Sequence, residues 1–494
     1  MLDFPRNPHR KSTIGGHMRA LLSLVLVFSF GCGDVSKDDD TGFGAGTEDG
    51  GTGDGGDGGS TGDGGDGGDG GDGGSTGGST GGGDGGGDDG EVTTGSLPAV
   101  PDKAGVVYVT DYIDSLLRWY DISGSAPEDG GELDMGSSVH DLAVDSINHR
   151  MAAALDGERR VVLLSLDEPA DGLTAPSIIS DVGFDNPPYL VKLDPYNHRL
   201  YVHTVTTGAG QVHIVDITSP EAPSIITSVD SPIFGSWSID AARRLMFIAN
   251  HEDKTLDVHD VGNDTWDMVE GSPIDLQTDY PDTDDNEWAF QAYNLTADPW
   301  SARVFAGRTQ GDLSELIAYQ YDDFVPGEGS TYSDGASAET MESLPDAIDL
   351  DVDLYDRHVP LLFSHSPLPD SLTGEVLLVG AAYDYDSSST NGGILSMNAD
   401  LGPSGVCADE EDSNFCFYRY WSDSSARWTL PTDGAACIDP GRRIAVGAAI
   451  TVESEGASHM QFFQYDADGN ISAWLPADGG TLHNGPLAIN VVCH

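Results

Sequence analysis

The feature that most constrains this chain is an internal repeat. A motif running from an Asp through a short turn to an Arg occurs as DSINHR at 145–150, DPYNHR at 194–199, DAARR at 240–244, DPWSAR at 298–303, DLYDR at 353–357 and DPGRR at 439–443. Each copy leads into a mostly apolar run (MAAAL, LYVHTV, LMFIA, VFAG, VPLLF, IAVGAAI) and then a second one (VVLLSL, VHIVDI, LDVHDV, LIAYQY, GILSM, QFFQY). A third run precedes the Asp, as in LAV at 142–144, YLVKL at 189–193 and SWSI at 236–239. Units of about 45 to 60 residues with three or four antiparallel strands bury their faces only against copies of themselves, which predicts an all-β chain arranged as a β-propeller. The Arg has partners within its own turn in copy after copy, so it reads as a structural residue rather than part of an anion-binding ring.

The segment VVYVTDYIDSLLRWYDIS at 106–123 supplies inner strands of a blade that lacks its first, and PLAIN at 486–490 provides it. LAIN matches LAVD at 142–145, so a C-terminal strand closes the ring and the count becomes seven blades, with six or eight still compatible. Closure removes the free edges of an open array. Residues 401–432 lengthen the spacing between two copies and are expected to decorate one face, and the stretch 271–289 forms a second, acidic excursion.

Upstream of residue 98 the chain changes character. Met18 and Arg19 precede an eleven-residue apolar stretch, Ala20 to Phe30. That is too short to span a bilayer stably but fits the core of a secretory signal peptide over 1–31, with Met18 as an alternative start. SFGC at 29–32 resembles a bacterial lipobox, which implies lipidation of Cys32. Gly33 in place of Asp tilts the address toward an outer-membrane or cell-surface lipoprotein, extracytoplasmic in either case. Residues 33–97 are almost wholly Gly, Asp, Ser and Thr, without the Pro of collagen or the recurring aliphatic of calcium-binding nonapeptides. No core can form there, and the lipidated Cys plus linker (32–97) is expected to be a disordered tether of roughly 40–50 Å reach.

The formal charge of −61 divides into about +3 for residues 1–32, −15 for 33–97 and −49 for 98–494. Carboxylates on this scale keep a large β protein soluble and blunt its strand edges. They also repel phosphate backbones, so nucleic acid is excluded as a partner, and the membrane is reached through the lipid at Cys32 rather than a basic patch.

In an exported protein the four cysteines beyond Cys32 should pair, with three connectivities open. Cys407 with Cys416 closes a short loop, which leaves Cys437 with Cys493. If LAIN aligns with ACID at 436–439, those two sulfurs stand about five residues apart, about 16 Å, beyond the roughly 7 Å that a disulfide tolerates.

Residues just before the inner strands should rim the central channel: His140, Asp141, Tyr189, Trp237, Tyr293, Asn294, Asp346, Asp349, Asp433 and His483. Aromatics mixed with carboxylates suit a sugar, a peptide or a cation, although any propeller mouth is polar. Asp349, Asp351 and Asp353 alternate with apolar residues and would place three carboxylates on one strand face, which makes Ca2+ the single cofactor candidate in a chain otherwise expected to need none. YDADGN at 465–470 lacks the spacing of a calcium loop and reads as a hairpin turn. No GxSxG, HExxH, Walker A or dinucleotide fingerprint stands in its proper context.

VYVTD followed by a run ending in YDIS is similar to the YVTN-type propeller repeat, and VHIVDITSPEAPSIITSV at 212–229 resembles the LVIVD-type repeat of bacterial secreted and surface propellers. The resemblance spans nearly all of 98–494 and implies a propeller domain there. It implies little about function, because one ring hosts binders, scaffolds and enzymes. Without a catalytic signature, the leading expectation is a lipid-anchored platform that binds a protein, glycan or peptide. A lactonase-like or other hydrolase using carboxylates and His at the channel mouth is the alternative from another class, and an envelope assembly scaffold is a third.

Overall fold

The computed structural model describes residues between 105 and 494 apart from breaks in loops, the widest being 276–290, 322–341 and 399–414. The signal peptide, Cys32, the tether and most of the acidic excursion lie outside the described residues. All described elements are strands, and they form seven sheets, which fixes the blade count at seven. Blade 1 holds Ala488–Cys493, Val106–Asp111, Leu116–Asp121 and Glu128–Asp134 from the inside outward; blade 2 holds Val139–Asp145, Arg150–Leu155, Arg160–Ser165 and Ser177–Gly183. Blade 3 follows with Pro188–Asp194, Arg199–Thr206, Ala209–Asp216 and Ser224–Ser231. The inner strands of blades 4, 5, 6 and 7 are Ser236–Asp240, Gln291–Asp298, Leu368–Asp370 and Ala436–Asp439. Each packs beside the next in order, and Ala436–Asp439 lies against Ala488–Cys493, so the ring closes as expected.

The core lies between blades rather than within them. In Arg199–Thr206, Leu200 and Val202 face blade 2 and pack with Val161 and Leu163, whereas Tyr201 faces blade 4 and packs with Trp237 and Met246. A strand buried on both faces needs a continuous apolar run, which is why MAAAL and LYVHTV do not alternate with polar residues. Burying each Leu or Val this way contributes about 1.5–3 kcal/mol, so two faces per blade supply much of the driving force.

Three expectations need correction. DLYDR does not start blade 6. Asp351–Asp353 instead forms a hairpin with His358–Leu362 beside that blade, and the blade's own turn runs from Asp370 to Glu375, where Gly374 (φ 80°) replaces the usual long residue. The segment 401–432 is not only decoration, because Phe415–Arg419 is the outermost of the four principal strands of blade 6.

The third correction concerns register. Asn490 pairs with Thr110 and Cys493 with Val107, while Asp141 pairs with Ala154 and Asp145 with Arg150. His494, bonded to Val106, therefore occupies the place of Asp145, and Asn490 that of Asp141. LAIN is thus shifted by four residues from its expected alignment. A shift by an even number keeps every side chain on its face, so the apolar pattern alone could not detect it. In the true register Cys437 and Cys493 are offset by one residue instead of five, and they form a disulfide with Cα atoms 5.7 Å apart.

Candidate functional site

The two ends of the inner strands carry different chemistry. At the end where the inner strands of blades 2 to 7 stop, the last Asp is buried and organises the turn. Asp194 Oδ1 accepts the main-chain N–H groups of Tyr196 (2.9 Å) and Asn197 (3.0 Å), and Oδ2 accepts Asn197 Nδ2 (2.7 Å). Burial nonetheless raises the Asp194 pKa above the usual carboxylate value. Three residues after each Asp comes a donor: Asn148, Asn197, Arg243, Ser301, Thr373 or Arg442. The longer ones also reach the next blade, Asn148 to the Pro195 carbonyl (3.0 Å), Arg243 to that of Pro299 (2.8 Å), and Arg442 to those of Ile122 and Ser123. Arg199 pairs with Asp216 (3.0 Å) in its own blade and Asp264 (2.6 Å) in the next. These Arg residues are structural, as their recurrence suggested, and besides bonding within their own turns they pin neighbouring blades together.

The residue that follows the donor takes a left-handed conformation in turn after turn: His149 (φ 51°), His198 (φ 51°), Arg244 (φ 57°), Ala302 (φ 51°) and Arg443 (φ 57°). Tyr321 and Tyr465 add hydroxyl donors to Asp240 (2.8 Å) and Asp370 (2.9 Å). YDADGN is the expected hairpin turn: Asp466 accepts the N–H groups of Asp468 and Asn470, and hydrogen bonds from Asn470 hold its carboxyl below the ordinary value.

At the other end, where inner strands begin, a β-bulge recurs at one position in three blades. His140 is bulged in blade 2, Tyr189 in blade 3 and Ile489 in blade 1, while the bulge of blade 5, at Asn294, falls one residue nearer the turn. A bulge re-aims its side chain, and His140 and Tyr189 are residues that the sequence placed at the channel mouth, whereas Ile489 was not. The rings of His140 and Tyr189, both half-buried, lie 4.3 Å apart across the blade 2–3 boundary. Tyr293 and Asn294 share the strand Gln291–Asp298.

Other candidate residues separate from this group. Asp141 is 3% exposed and clasps blades 2 and 3 together, its Oδ1 accepting the Leu142 N–H (2.8 Å) and its Oδ2 the Val191 N–H of the next blade (2.7 Å). The same place in blade 1 is Asn490, donating to the His140 carbonyl (2.9 Å), and in blade 4 it is Ser236, accepting the Leu295 N–H (2.9 Å). Sequence reading missed this clasp because it uses Asp, Asn and Ser at one structural position, and no residue type repeats. Trp237 is wholly buried between blades 3 and 4 and is a core residue, not a rim one. Beside it His203, also buried, has its pKa pushed down to about 3 by loss of solvent.

Asp346 and Asp433 lie outside the described residues, as does Cys407. Asp349 pairs with Glu315 in blade 5, whereas Asp351 and Asp353 pair with Pro360 and His358 in the blade 6 hairpin. Asp349 thus belongs to one sheet and Asp351 and Asp353 to another, so the three residues do not lie along one strand. His483 sits in Leu482–Asn484 at the edge of blade 7, and Cys416 in Phe415–Arg419. Among the described residues no cluster of three metal-type side chains occurs.

No protein-family model matches the chain, and no curated protein matches it at a significant level. Solved structures do match. The fold is similar to that of a putative 6-phosphogluconolactonase from Bacteroides uniformis (9% identity, TM-score 0.50, covering 80% of this chain and 100% of that one). It is similar also to the periplasmic gluconolactonase of Pseudomonas aeruginosa (10%, 0.50, 78% and 98%) and to a hypothetical selenium-binding protein from Sulfolobus tokodaii (11%, 0.50, 80% and 94%). At such identities the likeness shows the β-propeller fold.

Proposed function

We propose that this is a lipid-anchored, extracytoplasmic propeller whose channel mouth binds a glycan or peptide ligand. The observation that carries the reading is the recurrent bulge, which sets Ile489, His140 and Tyr189 at equivalent positions of three successive inner strands, with the His140 and Tyr189 rings in contact. Aromatic faces suit the stacking of sugars and extended peptides. The rim carboxylate nearest them, Asp141, is buried and holds two main-chain N–H groups, so it is poorly placed as a general base.

The test is binding of the full chain to glycan and peptide arrays, beside a His140→Ala/Tyr189→Ala double variant. Loss of the bound set in the double variant supports the reading; an unchanged set refutes it. Hydrolysis is the second reading, prompted by two similar folds whose names say gluconolactonase. Turnover of δ-gluconolactone by the unmodified chain, abolished in the same double variant, would favour it over binding. The anchor is tested separately: palmitate incorporation should disappear in Cys32→Ser, and label that persists overturns it.

A further inference from the structure

A second polar constellation runs outward from the mouth end of blade 3 to its outermost strand, on the side of that blade that bounds the wedge toward blade 2. Ser228, on the outermost strand of blade 3, is exposed and pairs directly across from His213. Its Oγ lies 2.7 Å from His213 Nδ1, and His213 Nε2 lies 3.0 Å from Thr204 Oγ1. His213 and Thr204 are buried, at 7% and 1% exposure. His213 lies opposite Val202, which packs against blade 2, so this polar line faces the wedge.

The surroundings suit a reaction rather than a packing role alone. The Phe184 ring from blade 2 stands 4.9 Å from the His213 ring. Val182 of blade 2 belongs to the same inter-blade cluster, and Ile225, across from Val215, is left 42% exposed on the wedge wall. Ser224–Ser231 ends its sheet, so alternate main-chain N–H groups along it face solvent, where they can meet a developing negative charge. An exposed hydroxyl bonded to a buried imidazole, itself oriented by a third group, is the general geometry of an activated nucleophile.

We propose that Ser228, His213 and Thr204 form a nucleophile, base and positioning relay that hydrolyses esters of apolar carboxylic acids in the wedge between blades 2 and 3. Ser228 Oγ attacks the ester carbonyl carbon as its proton passes to His213 Nδ1, with Nε2–H donating to Thr204 Oγ1. The bond from carbon to the alcohol oxygen breaks, and that oxygen takes the proton from Nδ1. Water then attacks the acyl-Ser228, giving its proton to Nδ1, and the carboxylic acid leaves as Ser228 recovers a proton from Nδ1. Burial lowers the His213 pKa, opposed by the charge of Asp185 at the end of blade 2, while neighbouring His203 is itself neutral. The imidazole is therefore held in its basic form at neutral pH.

The test is reaction of the full chain with an alkyl fluorophosphonate at neutral pH, the adduct being located by peptide mass spectrometry, beside hydrolysis of p-nitrophenyl butyrate. The expected adduct is on Ser228. It disappears in Ser228→Ala, an exposed-edge change that leaves the thermal transition in place. His213→Asn slows labelling by about 100-fold or more. Thr204→Val slows it as well, and Thr204→Ser restores it. With the unmodified chain, the labelling rate holds steady as pH falls through 6.5 and drops only below it, a readout that needs no folded His213 variant. Failure to label, an adduct that survives Ser228→Ala, or a rate indifferent to pH overturns the proposal.

Discussion

The two faces of the ring differ in what they repeat. On the turn face the chemistry recurs: a buried Asp, a donor three residues on and a left-handed residue after it, in blades 2, 3, 4, 5 and 7 and, with Gly374, in blade 6. On the mouth face the backbone recurs and the chemistry does not, since one bulge position holds Ile489, His140 and Tyr189 in three successive blades. Repeated side chains mark what every blade needs in order to fold, and a repeated backbone with varied side chains marks a frame in which recognition can change without cost to the ring.

The contrast is most easily broken at Asp240. It accepts the Arg243 N–H (3.0 Å), the Arg243 guanidinium (2.7 Å) and the Tyr321 hydroxyl (2.8 Å), and Arg243 is only 4% exposed. Asp240→Ala strands a buried charge and should cost about 3–5 kcal/mol in denaturant unfolding. Next comes the disulfide at the seam. Cys437→Ser/Cys493→Ser should lower stability by about 2–4 kcal/mol, and equal unfolding midpoints with and without reductant would show that closure rests on strand pairing alone.

A pH titration sharpens the comparison further. His203 has a folded pKa lowered to about 3 from 6.5, so between those values the unfolded chain binds the extra proton. Stability should therefore fall as pH drops through that window, by about 1.4 kcal/mol per pH unit for this one group. His203→Gln should remove that increment from the measured slope. The smallest effect belongs to the mouth: His140→Ala forfeits one ring contact, worth about 1 kcal/mol of stability, while abolishing ligand binding there. Were it to destabilise as much as Asp240→Ala, the division between the faces would collapse.

Much of this architecture was legible in the sequence, because turn chemistry writes itself as Asp, donor and Arg at fixed spacing. Seven blades and a C-terminal closing strand followed. What was not legible depended on register. LAIN and VVCH present the same apolar pattern, so only the ladder distinguishes them. DLYDR imitated a blade turn although the true one, around Asp370, carries Thr373 and Gly374 in place of longer residues. Of the mouth residues, His140, Tyr189 and Asn294 were legible as residues near the start of inner strands, but the bulge that His140 and Tyr189 share was not. Trp237 belonged to the same list because it stands near the start of its run, but its side chain faces the core between blades 3 and 4. The pair Ser228 and His213 meets across two strands and forms no linear motif.

The closing strand also has a consequence in time. Asn490 bonds to Thr110, a partner 380 positions earlier in the chain. During synthesis from the N-terminus, the inner edge of Val106–Asp111 stays unpaired until Ala488–Cys493 has been made. An open edge held that long invites pairing with other chains, and contacts this distant in sequence form slowly. The ring that leaves no inner edge exposed when complete is thus most vulnerable just before its final strand arrives.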